Sequence, residues 1–330
     1  MNAWTRSGRL VLATAGGIVL ILLVSQIVSS ATALSVLTQA AIFAIFASGV
    51  GVLLKQNGMV SFGHAAFFGL SAYFVATCLR ETHLPAELVI LLSLVATAVF
   101  AFILALVIVR VPGIAFAMLT LAFGQLFYQL ALKSRNLTGG ADGISIDWPD
   151  TLFGVPTSTL LDNHVIFAVS GIILVLVLAL LVCVHRSRFG NTTEAIRDNP
   201  ERAMFIGISP TLPRALIFTL SAVITAIAGV LASFNSGFIS PDSLHWSLSG
   251  TVLMMVVVGG YWSVAGPALG AVIYVVAKDL IGDLSTHWLS LFGVLLVVIV
   301  VFTDNGLSGA LRSLVSRRSG AHQNAQARRS

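Results

Sequence analysis

Ser61 and His64 are the first residues in the chain whose types and spacing could do chemistry. Three positions apart on a helix, they would share a face, and a histidine beside a serine is half of a nucleophile–base arrangement. No carboxylate accompanies them. The chain carries no nucleophile elbow, no HExxH pair and no Walker A sequence, each of which has a recognisable spacing. The usual phosphate-cradling loop is therefore excluded, and no enzyme reading gathers a full set of acid, base and nucleophile. Cys78 and Cys183 show no spacing with histidine that suggests a metal site, and read as two small apolar residues too far apart to bridge. His64 keeps two readings, a polar group on a pathway or a histidine bonded to a neighbouring helix, of which the second is the commoner.

These residues must be placed by an apolar frame. Of 330 residues, 57% are hydrophobic and 9% are charged, whereas soluble domains carry about 25% charged residues. A helix needs about 20 apolar residues to cross the hydrocarbon core. The candidates are Leu10–Val28, Leu34–Leu54, Met59–Leu79, Leu88–Val109, Ile114–Leu132, Val165–Val184 and Ala215–Phe234, with shorter stretches at Ser247–Gly260, Val264–Ala277 and Trp288–Phe302. The expectation is an all-α, polytopic membrane protein of ten spans, or eight if the eighth and ninth form a re-entrant hairpin. Both counts are even, so both termini share a side. Ala31-Thr32-Ala33 resembles a small-residue cleavage site, but the 19-residue apolar stretch before it exceeds the 7–15 of a signal core, so a retained anchor is expected.

With the N-terminus inside, only Arg80, Lys133, Arg135 and Lys278 of the 18 basic residues fall outside. That asymmetry follows the positive-inside rule and puts both termini in the cytoplasm. The outer loop 133–164 carries Asp142, Asp147, Asp150 and Asp162, and the inner loop 185–214 is rich in charge. The transmembrane domain then covers 1–309, followed by a basic tail, 310–330, whose composition predicts disorder. Nothing basic is interleaved with aromatics as a nucleic-acid surface would be.

The middles of the spans hold no Asp, Glu, Lys or Arg, and His64 is the one ionisable side chain within them. Proton-coupled carriers place a carboxylate or histidine relay there, so active transport by this chain would draw its energy elsewhere. Gly58, Gly63 and Gly69 punctuate the third span, Pro112-Gly113 opens the fifth, and Gly259, Gly260, Gly266, Pro267 and Gly270 bracket the two short segments. Interrupted helices point to a transporter pathway. Close packing through small residues is the other reading, and both stay open.

The inner loop has its own signals. Thr192 or Thr193 can cap a helix beginning near Glu194. Asn199 and Pro200 then suit the cap and first turn of a second helix, in which Ala203, Met204 and Ile206 are apolar, and Gly207 suits a left-handed stop. The expectation is two short surface helices presenting small apolar residues and Arg197 to a partner, rather than a plain connector.

Five motifs in order now carry a resemblance: Gly63-His64-Ala65-Ala66-Phe67-Phe68-Gly69 with Ala72-Tyr73; Phe116-Ala117-Met118-Leu119-Thr120-Leu121-Ala122-Phe123-Gly124-Gln125; Leu137-Thr138-Gly139-Gly140-Ala141-Asp142-Gly143; Arg188-Phe189-Gly190 with Glu194 to Asn199, Ala203 and Gly207; and Gly237-Phe238-Ile239-Ser240-Pro241 with Gly259-Gly260 and Gly266-Pro267. From about Gly49 to about Phe302 the chain resembles branched-chain amino acid ABC transporter permeases of the LivM type. It departs at Asn191-Thr192-Thr193 and at Pro213-Arg214, where the family usually has other residues.

The resemblance implies one of two membrane subunits of an importer in the bacterial inner membrane, the other being a related permease. Two cytoplasmic ATPases hold ATP and Mg, no cofactor belongs to this chain, and an external binding protein delivers the solute. Leu, Ile and Val are the usual cargo, and relatives move urea, short amides or aromatic acids. Together with the backbone signals it gives pathway candidates Gly63, His64, Phe67, Gly69, Thr120, Gln125, Gly259, Gly260, Gly266 and Pro267. Thr138, Gly139, Gly140, Asp142 and Gly143 are candidates for docking the binding protein. Glu194, Ala195, Ile196, Arg197, Asp198, Asn199, Pro200, Ala203 and Gly207 are candidates for coupling to the ATPase. The alternative reading is a self-sufficient channel or facilitator for a small solute.

Overall fold

The computed structural model describes residues 3–282, apart from positions 29, 83 and 112, together with 290, 293–294 and 306–309. Most of the tenth expected span, Trp288–Phe302, and the whole tail 310–330 lie outside the described residues.

The long helices follow from apolar length and local caps. They are α1 (Ala3–Ile27), α2 (Ala31–Asn57), α3 (His64–Glu81), α4 (Ala86–Ile108) and α5 (Ile114–Lys133). Ser30 caps α2 by accepting from the Ala33 N–H, and Gly58 closes it in the left-handed conformation, as a helix stop often requires. The outer loop holds α6 (Arg135–Thr138), a 3₁₀ turn at Gly140–Asp142, β1 (Ile144–Ser145), β2 (Thr151–Leu152), β3 (Val155–Pro156) and α7 (Thr157–Leu160). Then come α8 (Asn163–Arg186), α9 (Arg188–Asp198), α10 (Pro200–Phe205), α11 (Thr211–Ser236), β4 (Phe238–Ile239), a 3₁₀ turn at Pro241–Leu244, α12 (Trp246–Gly259) and α13 (Gly266–Gly282). Two-residue strands aside, the described chain is helical, as an all-α polytopic membrane protein should be.

Among the described residues, five helices, α2, α4, α5, α8 and α11, are long and apolar enough to cross a membrane. Most of α2 and α11 is buried, whereas α4, α5 and α8 are buried over a third or less. Lipid tails are as apolar as leucine, so helix association relies on close packing of small residues. Accordingly α2 and α11 meet at Gly49, where a Cβ would come within 3.0 Å of the Ser221 carbonyl oxygen. Large apolar side chains such as Leu91, Val107, Met118 and Leu176 point outward, the pattern of a lipid-facing rim.

One expectation is corrected. The third span is not one helix from Met59: after Gly58 the chain is non-helical to Gly63, and α3 begins at His64. Ser61 therefore precedes the helix instead of sharing its face. The cause is a close approach to α5. A Cβ on Gly63 would overlap the Thr120 carbonyl oxygen, and the Phe62 N–H donates to Thr120 Oγ1 at 3.2 Å. The eighth and ninth stretches are α12 and α13, whose turn lies beside Lys55 at the arginine-rich end, called the inner end below. The 14 residues of α12 extend about 21 Å by helix rise.

Candidate functional site

The inner loop folds as two helices. Ser187, not Thr192 or Thr193, caps the first: its side chain accepts from the Gly190 N–H at 3.0 Å, and α9 starts at Arg188. Thr193 is buried and donates instead to Gln56 Oε1 of α2 and to the Gly190 carbonyl. That tertiary pair removes it from capping. Asn199 caps α10 by accepting from the Arg202 N–H at 2.9 Å, with Pro200 in the first turn. Gly207 follows at φ 84°, and the Ile208 N–H returns to the Ala203 carbonyl.

The residues presented differ from those expected. Arg197 is turned inward: its side chain is 17% exposed and paired with Asp198, and its Nη1 donates to the Lys55 carbonyl at 2.5 Å. Ile196 and Ala203 are buried. Ala195, Asp198, Glu201 and Arg202 are exposed, and so are Met204 at 52%, Phe205 at 89% and Ile206 at 75%. Phe205 was legible only as an apolar residue in a polar loop, and its exposure is the feature that sequence reasoning missed. Three adjacent large apolar side chains on the end of a capped helix are what a partner's groove would bury.

The interrupted span forms the second element. His64 is fully buried. Its Nδ1 lies 2.7 Å from Ser61 Oγ and its Nε2 lies 2.8 Å from Ser221 Oγ. Ser221 donates to the Gly49 carbonyl, so its hydroxyl accepts from Nε2–H, and Ser61 donates to Nδ1. The histidine thus ties α3 to α11 and α2, with no free polar edge for a passing solute. Phe67 and Thr120 are buried, and Phe67 packs edge-on against Phe218. Gln125 has a buried Oε1 without a partner among the described residues. Gly69 admits Leu244, whose Cδ2 would stand 2.5 Å from a Cβ there. At the α12–α13 turn, a Cβ on Gly259 or Gly270 would overlap opposing carbonyl oxygens, and Gly51 admits Pro267. Gly260 ends α12 at φ 88°, and the same turn holds Gly266. For these glycines, close packing is what the geometry displays.

At the outer end, two of the five motifs meet. Ile144 and Ser145 of β1 pair antiparallel with Ile239 and Phe238 of β4. Gly139, Gly140 and Gly143 all have positive φ, and a Cβ on Gly143 would overlap the Ile239 carbonyl oxygen. Thr138 Oγ1 donates to the Ala131 and Ser134 carbonyls. Asp142 is 78% exposed, 3.3 Å from Arg135. The glycines build a clasp, and Asp142 stands on its surface.

This architecture is that of a multi-pass membrane permease. A family model described as "Branched-chain amino acid transport system / permease component" matches residues 32–303, and the chain belongs to that family. The chain is 29% identical over 310 residues to the high-affinity branched-chain amino acid transport system permease protein LivM of Salmonella typhimurium, covering 88% of this chain and 73% of that protein. It is 28% identical over 306 residues to LivM of Escherichia coli, covering 87% and 72%. It is also 30% identical over 143 residues to the fructose import permease protein FrcC of Rhizobium meliloti, covering 39% of each. No solved structure matches the chain.

Proposed function

We propose that this chain is the permease subunit of an inner-membrane ABC importer, and that cytoplasmic ATPase subunits dock on α9 and α10. The observation that carries the docking surface is the exposed Met204–Phe205–Ile206 end of α10. It lies in the charged loop that the positive-inside rule puts in the cytoplasm, and burying it would supply the hydrophobic core of an interface. ATP and Mg belong to the partner, since no Walker A sequence occurs here. A second, related permease completes the pathway. An external binding protein delivers the solute at the outer clasp, where Asp142 is exposed. Branched-chain amino acids are the proposed cargo, in line with the names of both LivM relatives.

The test is co-purification from detergent. The wild-type chain should bring a Walker-containing ATPase and a second permease. Phe205→Asp should lose the ATPase, because a charge would be forced into an apolar contact. Retention of the ATPase by Phe205→Asp, Ile206→Asp and the double variant would remove α10 as the docking element.

A further inference from the structure

Four elements converge at the inner end of α2. Lys55 Nζ lies 3.1 Å from His185 Nε2 on α8 and donates to the Trp262 carbonyl in the α12–α13 turn at 2.9 Å. An ammonium group has only donors, so Nε2 accepts, and His185 Nδ1 also lies 3.1 Å from Gln56 Nε2. The same Nδ1 faces Glu194 Oε1 of α9 at 3.2 Å. Arg197, one turn further along α9, donates to the Lys55 carbonyl and holds its guanidinium 5.3 Å from the Trp262 ring centroid.

The Lys55 carbonyl is in the last turn of α2, where backbone acceptors lack helical partners and a cation is favoured by the helix dipole. Arg197 thus fastens α9 to the end of α2, and its other face rests on the Trp262 indole. The α2 helix is the buried centre of the bundle, and α13 leans on it through Gly51 and Pro267. Beside these contacts is a cavity of about 20 Å³ lined in part by Lys55, Gln56, His185 and Ser263. Its volume suits one water, and Ser263 Oγ is buried there without a partner among the described residues. The junction thus sets these polar side chains against apolar neighbours, Val52, Leu181 and Val264, that line the same cavity.

We propose that Lys55, His185, Glu194, Arg197 and Trp262 form the joint that carries displacement of α9 and α10 into α2 and the α12–α13 turn. These are positioning residues: they touch neither solute nor nucleotide. The proposal rests on the ATPase docking reading above, and names the internal contacts through which that docking acts. Glu194 and Arg197 face into the chain from the helix whose outer side is offered to the partner. A push on α9 therefore reaches α2 through Arg197 and reaches α8 through Glu194 and His185.

The experiment uses the whole transporter in proteoliposomes, with the binding protein inside its proper compartment and L-leucine as the probe. The readout is solute moved per ATP hydrolysed. Trp262→Leu keeps apolar bulk but removes the aromatic face, and should lower this ratio about tenfold, within the range that such intermediary residues modulate coupling. ATPase co-purification and ATP hydrolysis should persist. Trp262→Phe, which keeps an aromatic face, should restore most of the ratio. Glu194→Ala should also lower it, and the double variant should lose less than the two single losses combined, as expected for one shared joint. An unchanged ratio in both single variants, with the ATPase still bound, overturns the proposal. Absence of any ATPase from the wild-type preparation overturns the docking reading beneath it.

Discussion

His64 Nε2 and Ser221 Oγ stand 2.8 Å apart, and through this contact the interrupted third span is anchored to the two central helices. The Ser221 hydroxyl in turn donates a hydrogen bond to the Gly49 carbonyl of α2. His64→Ala would leave the buried Ser61 hydroxyl without its acceptor, at about 1–3 kcal/mol for an unsatisfied buried group. The melting temperature of the solubilised protein should fall. His64→Gln, which can keep one of the two bonds, should fall less. Equal melting temperatures for wild type and alanine variant would show that the contact adds nothing to stability.

Gly63 faces a carbonyl, not a side chain that can move aside. Gly63→Ala should displace the 58–63 segment from Thr120 and lower the yield of folded protein. Gly250→Ala is the control, because its nearest neighbour would lie at 3.9 Å. Size-exclusion profiles in detergent compare the two, and indistinguishable profiles would show that the close approach is not required.

The outer clasp separates folding from docking. Gly139→Ala combines a positive φ with a Cβ overlapping the Gly143 carbonyl, so it should destabilise the loop. Asp142→Lys is a surface change and should leave the fold intact. In the assembled transporter, it should weaken stimulation of ATP hydrolysis by the loaded binding protein, most clearly at low salt. Unchanged stimulation would exclude a charge-dependent part for Asp142.

The α4 helix was legible at Leu88–Val109 because apolar length alone defines it, and the Asn199-Pro200 start of α10 was legible because capping is local. The break before His64 was hidden. Met59, Val60 and Phe62 continue the apolar run, and only the approach of Thr120 on α5 selects the extended path. The start of α9 was misplaced for a similar reason: Thr193 has the chemistry of a cap, but Gln56, 137 positions away, takes its hydroxyl. The inward turn of Arg197 was equally hidden, since the Lys55 carbonyl and the Trp262 ring are brought to it only by the fold. Charge patterning reports which side of the membrane a loop occupies, not which side chains it offers.

Ala195 is exposed on α9, the helix that precedes the proposed docking end of α10. Ala195→Trp should therefore fold and insert normally while reducing ATPase retention or coupled transport. Normal retention and transport would restrict the docking surface to α10 alone.

The central claim is that this permease moves solute with energy taken from a partner's ATP. Radiolabelled L-leucine uptake into proteoliposomes measures it most directly, with the chain reconstituted alone or with its co-purifying permease, ATPase and binding protein. The full assembly should accumulate solute against a gradient only when ATP is supplied, and Phe205→Asp should abolish that accumulation. Uptake by this chain alone, at the same rate without ATP, would contradict the account and identify a self-sufficient facilitator.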